Sequence, residues 1–307
     1  MVSRSRSIDA SGRPLASAAR FSALISLTLL LGACGMNTEQ RDAVAEFSRA
    51  TARFGAMASN EIVETRQTVV DLNTYVLALD PARLPRREEL EGPFTAAAVE
   101  SRVRAAETLR SYGELLAAIV RGDDDPRART AAQRFNTSVK RLDRTTAKLN
   151  DDDLTAIGKA VAAIGGIALD EKRANALKEI VPKANPQVET LGKLFASEFD
   201  PERGPIARRI DATAQLALQA ADKTLDNRAA SVADRHVAAE ALRDSLAATR
   251  HANAVMPALS KAAEALVAAH ERMVKALATD SLTLADVKAF AEQMGSLGAT
   301  KRTNSAK

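Results

Sequence analysis

The chain reads as an all-α protein, an elongated antiparallel helical bundle with long coiled-coil-like helices, and three observations carry that expectation. Apolar residues recur at steps of three and four along most of the sequence, with no strand-like alternation. Alanine dominates the apolar fraction, which favours helix and lets helices approach closely. Aromatic residues make up only 3% of the 307 positions and tryptophan is absent, a poor supply for the bulky lining of a large ligand pocket.

Residues 39–297 are the expected bundle. Asn37 with Gln40 has the spacing of a capping box for a first helix. Its apolar line runs Val44, Phe47, Thr51, Phe54, Ala58, Ile62, Thr65, Val69, Leu72, Val76, Leu79, a heptad seam with one stutter, and Asp80-Pro81 ends it. The stretch 80–95, with three prolines and a glycine, is the longest expected loop. Thr95 starts a second helix with Val99, Val103, Ala106, Leu109 and Leu116 on one side. Asp125-Pro126 starts a third, carrying Ala128, Ala132, Phe135, Val139, Leu142, Thr146 and Leu149. Another helix is expected at Leu154, Ile157, Val161, Ile164 and Ala168. Pro182 and Asn185-Pro186 predict a break, then a short helix with Val188, Leu191, Leu194 and Phe195. From Ile206 a long helix is expected to about Arg250, with Ile210, Ala217, Ala220, Val232, Ala239, Leu242 and Leu246 inside. Pro257 kinks it or begins a new helix to Ala278. Thr283 with Asp286 starts the last, carrying Leu284, Val287, Phe290 and Met294, and residues 298–307 are expected to be a disordered tail.

The first 33 residues have a different character. Arg4 to Arg20 form a positive segment, and Phe21 to Leu31 an apolar run well short of the roughly 20 residues a spanning helix needs. This is the layout of a secretory signal peptide, to be left out of fold reasoning. Leu31-Gly32-Ala33-Cys34 follows directly, and it resembles the lipobox of bacterial lipoproteins. The resemblance implies cleavage between Ala33 and Cys34, with diacylglycerol and a fatty acyl chain on Cys34. Residues 34–38 are then the lipidated cysteine and a short tether. It also implies a body anchored in the bacterial cell envelope and facing the periplasm. Gly35, where an aspartate would hold such a protein at the inner membrane, points to the outer one. Cys34 is the only cysteine, so an intramolecular disulfide is excluded.

Charge and motifs narrow the function. Of the formal +4, the leader's four arginines and one aspartate supply +3, leaving +1 on the rest. A near-neutral body lacks the electrostatic footprint of a nucleic-acid binder. No nucleophile elbow or phosphate-binding glycine loop occurs, so no enzymatic activity is expected, and no cofactor beyond the lipid. His236 and Glu240 lie four apart on one helix face, a spacing that can clip a metal, although metal sites take three or four ligands. The acidic runs Asp123–Asp125 and Asp151–Asp153 lack the glycine and terminal glutamate of a calcium loop and sit where they cap helices. The loop residues Arg83, Arg86, Arg87 and Phe94 are the candidate contact with an envelope protein partner. Together these features predict a membrane-tethered binding or scaffolding protein. The alternative is a bundle that binds a small molecule or metal in its core.

Overall fold

The computed structural model describes residues 35–80, 90–92, 94–122, 125–142, 155, 159–160 and 170–305. Among them are seven helices and no strand: α1 (Thr38–Leu79), α2 (Ala96–Arg121), α3 (Asp125–Lys140), α4 (Asp170–Glu198), α5 (Pro205–Asp226), α6 (Val232–Ala278) and α7 (Leu284–Ser305). All belong to the unit Met36–Lys307. No helix among the described residues is long and apolar enough to cross a membrane. Ala33, Cys34 and the rest of the leader lie outside the described residues, as do Arg83, Arg86, Arg87, Thr146, Leu149 and nearly all of the helix expected around Leu154–Ala168.

α1 and α6 form the centre of an all-α bundle. α6 packs on α1, α4, α5 and α7, and α1 also meets α2, α5 and α7. At 1.5 Å per residue, the 42 residues of α1 extend about 63 Å. The capping box forms as its spacing predicts: the Gln40 N–H donates to Asn37 Oδ1 at 2.8 Å, and the Asn37 N–H to Gln40 Oε1 at 3.0 Å. Of the predicted seam, every residue from Val44 to Leu72 is buried, while Val76 and Leu79 are half-buried. Burying Phe47 and Phe54 alone contributes on the order of 2–3 kcal/mol each.

Antiparallel neighbours follow from paired residues. A Cβ on Gly55 of α1 would lie 2.5 Å from the Ala106 carbonyl oxygen of α2. One on Gly113 of α2 would lie 2.6 Å from the Ala52 nitrogen and the Ser48 carbonyl oxygen. The two backbones therefore touch where only glycine fits. α4 runs antiparallel to α6, with Gly192 against Val267 and Ala263 and the Ser260 hydroxyl donating to the Ala196 carbonyl at 3.0 Å.

The packing departs from the expected elements in four places. The break at Pro182 and Pro186 does not occur: α4 runs unbroken from Asp170 to Glu198. Both prolines face solvent, where water reaches the carbonyls they leave unpaired, while Ala184, Val188, Leu191 and Phe195 keep the buried line continuous. The long helix from Ile206 is instead two. α5 ends at Asn227, whose N–H reaches the Thr224 carbonyl, and Ser231 with Asp234 forms a new capping box for α6. The inner line assigned to α6 is also rotated. Val232 is 86% exposed and Leu246 49%, whereas Ala238, Ala241, Ser245, Ala248 and Ala252 face inward. That face of α6 is therefore formed by small residues, and Leu246 lies outside it. Finally, α7 runs past Gly298 to Ser305 instead of giving way to a tail, with Leu297 buried. Pro257 lies within α6, and Thr283 and Asp286 start α7 as expected, the Thr283 N–H donating to Asp286 Oδ2 at 2.9 Å.

Phe54 of α1 and Phe195 and Phe199 at the end of α4 form one buried aromatic cluster, and a second group forms a row with His270. Phe135 of α3 packs on Tyr112 of α2, Tyr112 on His270 of α6, His270 on Phe47 of α1, and Phe47 on Phe290 of α7.

Candidate functional site

Two helices that form the seam of the bundle also open a cleft beside it. Glu61, Glu64, Thr65, Thr68, Asp71 and Leu72 of α1 line one wall, and Asp244, Ala247, Ala248, Arg250 and His251 of α6 the other, with Ile210 of α5 at its edge; the volume is about 630 Å³. Both walls follow from helical spacing: residues 61, 65, 68 and 72, and residues 244, 248 and 251, recur every three or four positions. Alanine at 247 and 248 leaves space that a larger side chain would fill.

Glu61 is the unusual group. Its side chain is 1% exposed, and His251 Nε2 lies 2.8 Å from its Oε1. A buried carboxylate is strongly penalised unless it is paired and hydrogen-bonded, and the His251 ring at the cleft wall supplies such a partner. Glu64, exposed on the next turn, brings a third donor. One ligand atom each from Glu61, Glu64 and His251 fall within 4.8 Å of one another. Asp244 is held differently. It accepts from Arg243 Nε at 2.8 Å and from the Tyr75 hydroxyl at 2.7 Å. The Arg243 bond, joined by that of Tyr75, keeps the Asp244 carboxyl below its ordinary range against the opposing effect of burial. The same bond to Asp244, with burial, pushes the Tyr75 phenol up to about 12. Asp244 is thus a fixed negative charge on the cleft wall.

The other histidines are used elsewhere. His236 sits 3.6 Å from Glu240 with 74% of its side chain exposed, so the predicted pair exists, but as a solvated contact. His251 and His270 follow it on α6 by 15 and 34 residues, or about 22 and 50 Å along the axis, and so do not join it. His270 is buried, with Nε2 2.7 Å from the Tyr112 hydroxyl and Nδ1 2.9 Å from Asn185 Oδ1. One assignment satisfies all three groups: the Tyr112 O–H donates to Nε2 and the Nδ1–H donates to Asn185. Burial alone lowers the ring to about 3, which keeps it neutral, and burial raises the Tyr112 phenol well above its ordinary value.

Of the candidate contact residues at 80–95, only Phe94 is described, and it is turned inward. The residue is 4% exposed, with the Arg102 guanidinium 5.9 Å from the ring centroid. The end of this segment is fastened to α1 by Arg66 to Glu91 at 2.6 Å and by Asn73 Nδ2 to the Leu90 carbonyl at 2.9 Å. Phe94 is therefore a core residue and not an exposed anchor for a partner.

His251 is one of only three histidines and so a visible candidate ligand, but its pairing with Glu61 is not legible, because the two are 190 residues apart and the register read from Val232, Ala239, Leu242 and Leu246 does not point His251 at α1. The one local signal was Glu61-x-x-Glu64, two carboxylates on one face beside an apolar seam. No protein-family model, no curated protein and no solved structure matches this chain.

Proposed function

We propose that the chain is a lipid-anchored binding protein of the bacterial cell envelope, facing the periplasm, and that it binds through the cleft between α1 and α6. The observation that carries this reading is Glu61, a carboxylate buried at the wall of an open cleft. A rod that only spaces two surfaces has no use for so costly a group, whereas a recognition site does. The tetrad Leu31–Cys34 supports the anchor. Binding without catalysis is supported by the chemistry at hand: the only thiol lies in that tetrad, and His251 Nε2 faces a carboxylate instead of a hydroxyl nucleophile. The cleft also gives the reading in which a small ligand or metal is bound a better location than the deep core, where His270 has both nitrogens satisfied.

The test is made in intact cells. The mature amino terminus should be Cys34 carrying diacylglycerol, as read by mass spectrometry of the terminal peptide. A photo-crosslinking residue at Arg250, on the cleft, should capture a ligand or partner that the same residue at the exposed Lys261 does not. Cys34→Ser should abolish the lipid and weaken the capture. A free Cys34 thiol, or equal capture at both positions, would overturn the reading.

A further inference from the structure

We propose that the cleft binds one divalent first-row transition cation, held by Glu61, Glu64 and His251, with a further coordination position open to the cleft. This rests on the cleft being the binding element, and is independent of the lipid anchor. Three side chains from two helices place one donor atom each within 4.8 Å of one another. Metal bonds of about 2.0–2.1 Å in tetrahedral geometry separate donors by about 3.3 Å. The Glu61 Oε1 to His251 Nε2 distance is 2.8 Å, so the pair opens by about half an ångström as the cation replaces the proton between them. Glu64, on the exposed turn of α1, closes on the ion from the solvent side.

A second observation points to a ligand in the same place. Thr65, one turn beyond Glu61, is 2% exposed, and its hydroxyl has no hydrogen-bond partner. Hydroxyls elsewhere in these helices bond back to the carbonyl four residues earlier, as Ser48, Thr68, Thr74, Thr108 and Thr224 do. Thr65 does not, and unlike Thr51 and Ser245, which share this state, it lines the cleft. A buried hydroxyl left unsatisfied costs stability. A water or ligand atom on the open position of the cation gives it a partner.

Charge and donor type select the ion. The cleft is lined by Glu61, Glu64, Asp71 and Asp244 against the single guanidinium of Arg250, a lining that favours a cation. Asp244, held by Arg243 and Tyr75, adds field but does not ligate. Two carboxylates with one imidazole and no thiolate suit zinc, manganese, iron or cobalt(II). Calcium takes six to eight oxygens, and soft ions take sulfur.

The experiment uses the full chain purified in detergent. Zn²⁺ is titrated against a chromophoric chelator, and Co²⁺ is followed by its visible absorption. One equivalent is expected to bind. His251→Gln and Glu61→Gln should each weaken it about 100-fold or more, since even outer-shell changes cost about 10–100-fold. Glu64→Gln, at an exposed position that does not endanger folding, should weaken it about tenfold, and His236→Gln should leave it unchanged. Absence of stoichiometric binding, or binding that survives both His251→Gln and Glu64→Gln, or that is lost with His236→Gln, overturns the proposal. Crosslinking from Arg250 that persists while no metal binds would leave the cleft as a binding element and remove the cation from it.

Discussion

At the scale of single residues, the buried histidine makes the fold sensitive to pH. His270 stays neutral in the folded chain down to about 3, against 6.5 for a free ring. The unfolded chain therefore takes up a proton that the folded chain refuses. The contribution is whole above 6.5 and falls as the pH drops from there towards 3, by about 1.4 kcal/mol per pH unit. Denaturant melts between pH 7.5 and 5 should show that slope, and His270→Gln should flatten it while His236→Gln, at an exposed site, should not. An unchanged slope in His270→Gln would assign the loss to other groups. The same residues show what a sequence discloses at this scale. His236 and Glu240 are legible because their contact is local, four positions along one helix. The Glu61–His251 pair depends on two helices and on the rotation of each, and acidic residues are too frequent on every helix to single one out.

At the scale of elements, three glycines separate backbone contact from backbone freedom. Gly55 and Gly113 sit where α1 and α2 touch, and Gly55→Ala or Gly113→Ala should cost about 1–3 kcal/mol by forcing the helices apart. Gly295, in α7, has nothing within 4 Å of its would-be Cβ. Gly295→Ala should stabilise by about 0.5–1 kcal/mol, because glycine in a helix is the more disordered residue when unfolded. Thermal melts of the three variants should move in opposite directions; a fall for Gly295→Ala would mean that α7 packs otherwise. Element existence was readable where bulky residues mark the face, as along Val44 to Leu72. It was misread where alanine forms the interface, as in α6, because periodicity weighs leucine above alanine while close packing does the reverse. The prolines of α4 mislead similarly: the rule that proline ends a helix concerns its local carbonyls, and a continuous buried face on the other side outweighs it.

At the scale of the whole body, cohesion is uneven. The row Phe135–Tyr112–His270–Phe47–Phe290 ties α3, α2, α6, α1 and α7 together, with Asn185 adding α4. Where α5 ends and α6 begins, the core is a separate cluster of Ala221, Ala238 and Ala241, covered only by half-buried Tyr75, Leu79 and Leu242. Hydrogen exchange should follow this division: amides at 217–245 should exchange faster than those at 259–277 by about tenfold or more. Equal protection would mean that the body opens as one unit.

The turn that joins α6 to α7 also fastens the start of α1. The Asp280 carbonyl accepts from Gln40 Nε2 at 2.8 Å, and its carboxylate takes Lys178 of α4 at 2.7 Å, from a backbone held at φ 55. Met36, just before α1, is itself buried. Tension arriving through residue 35 therefore meets a riveted joint and not a fraying end. It runs along the axis of α1 and is shared as shear with α2 and α6, which run antiparallel to it, and with α7, which runs parallel to it. Rods loaded in shear must slip along their whole overlap at once, whereas rods that are peeled apart yield one turn at a time. A chain held by its amino end would thus present its strongest mechanical direction to the pull.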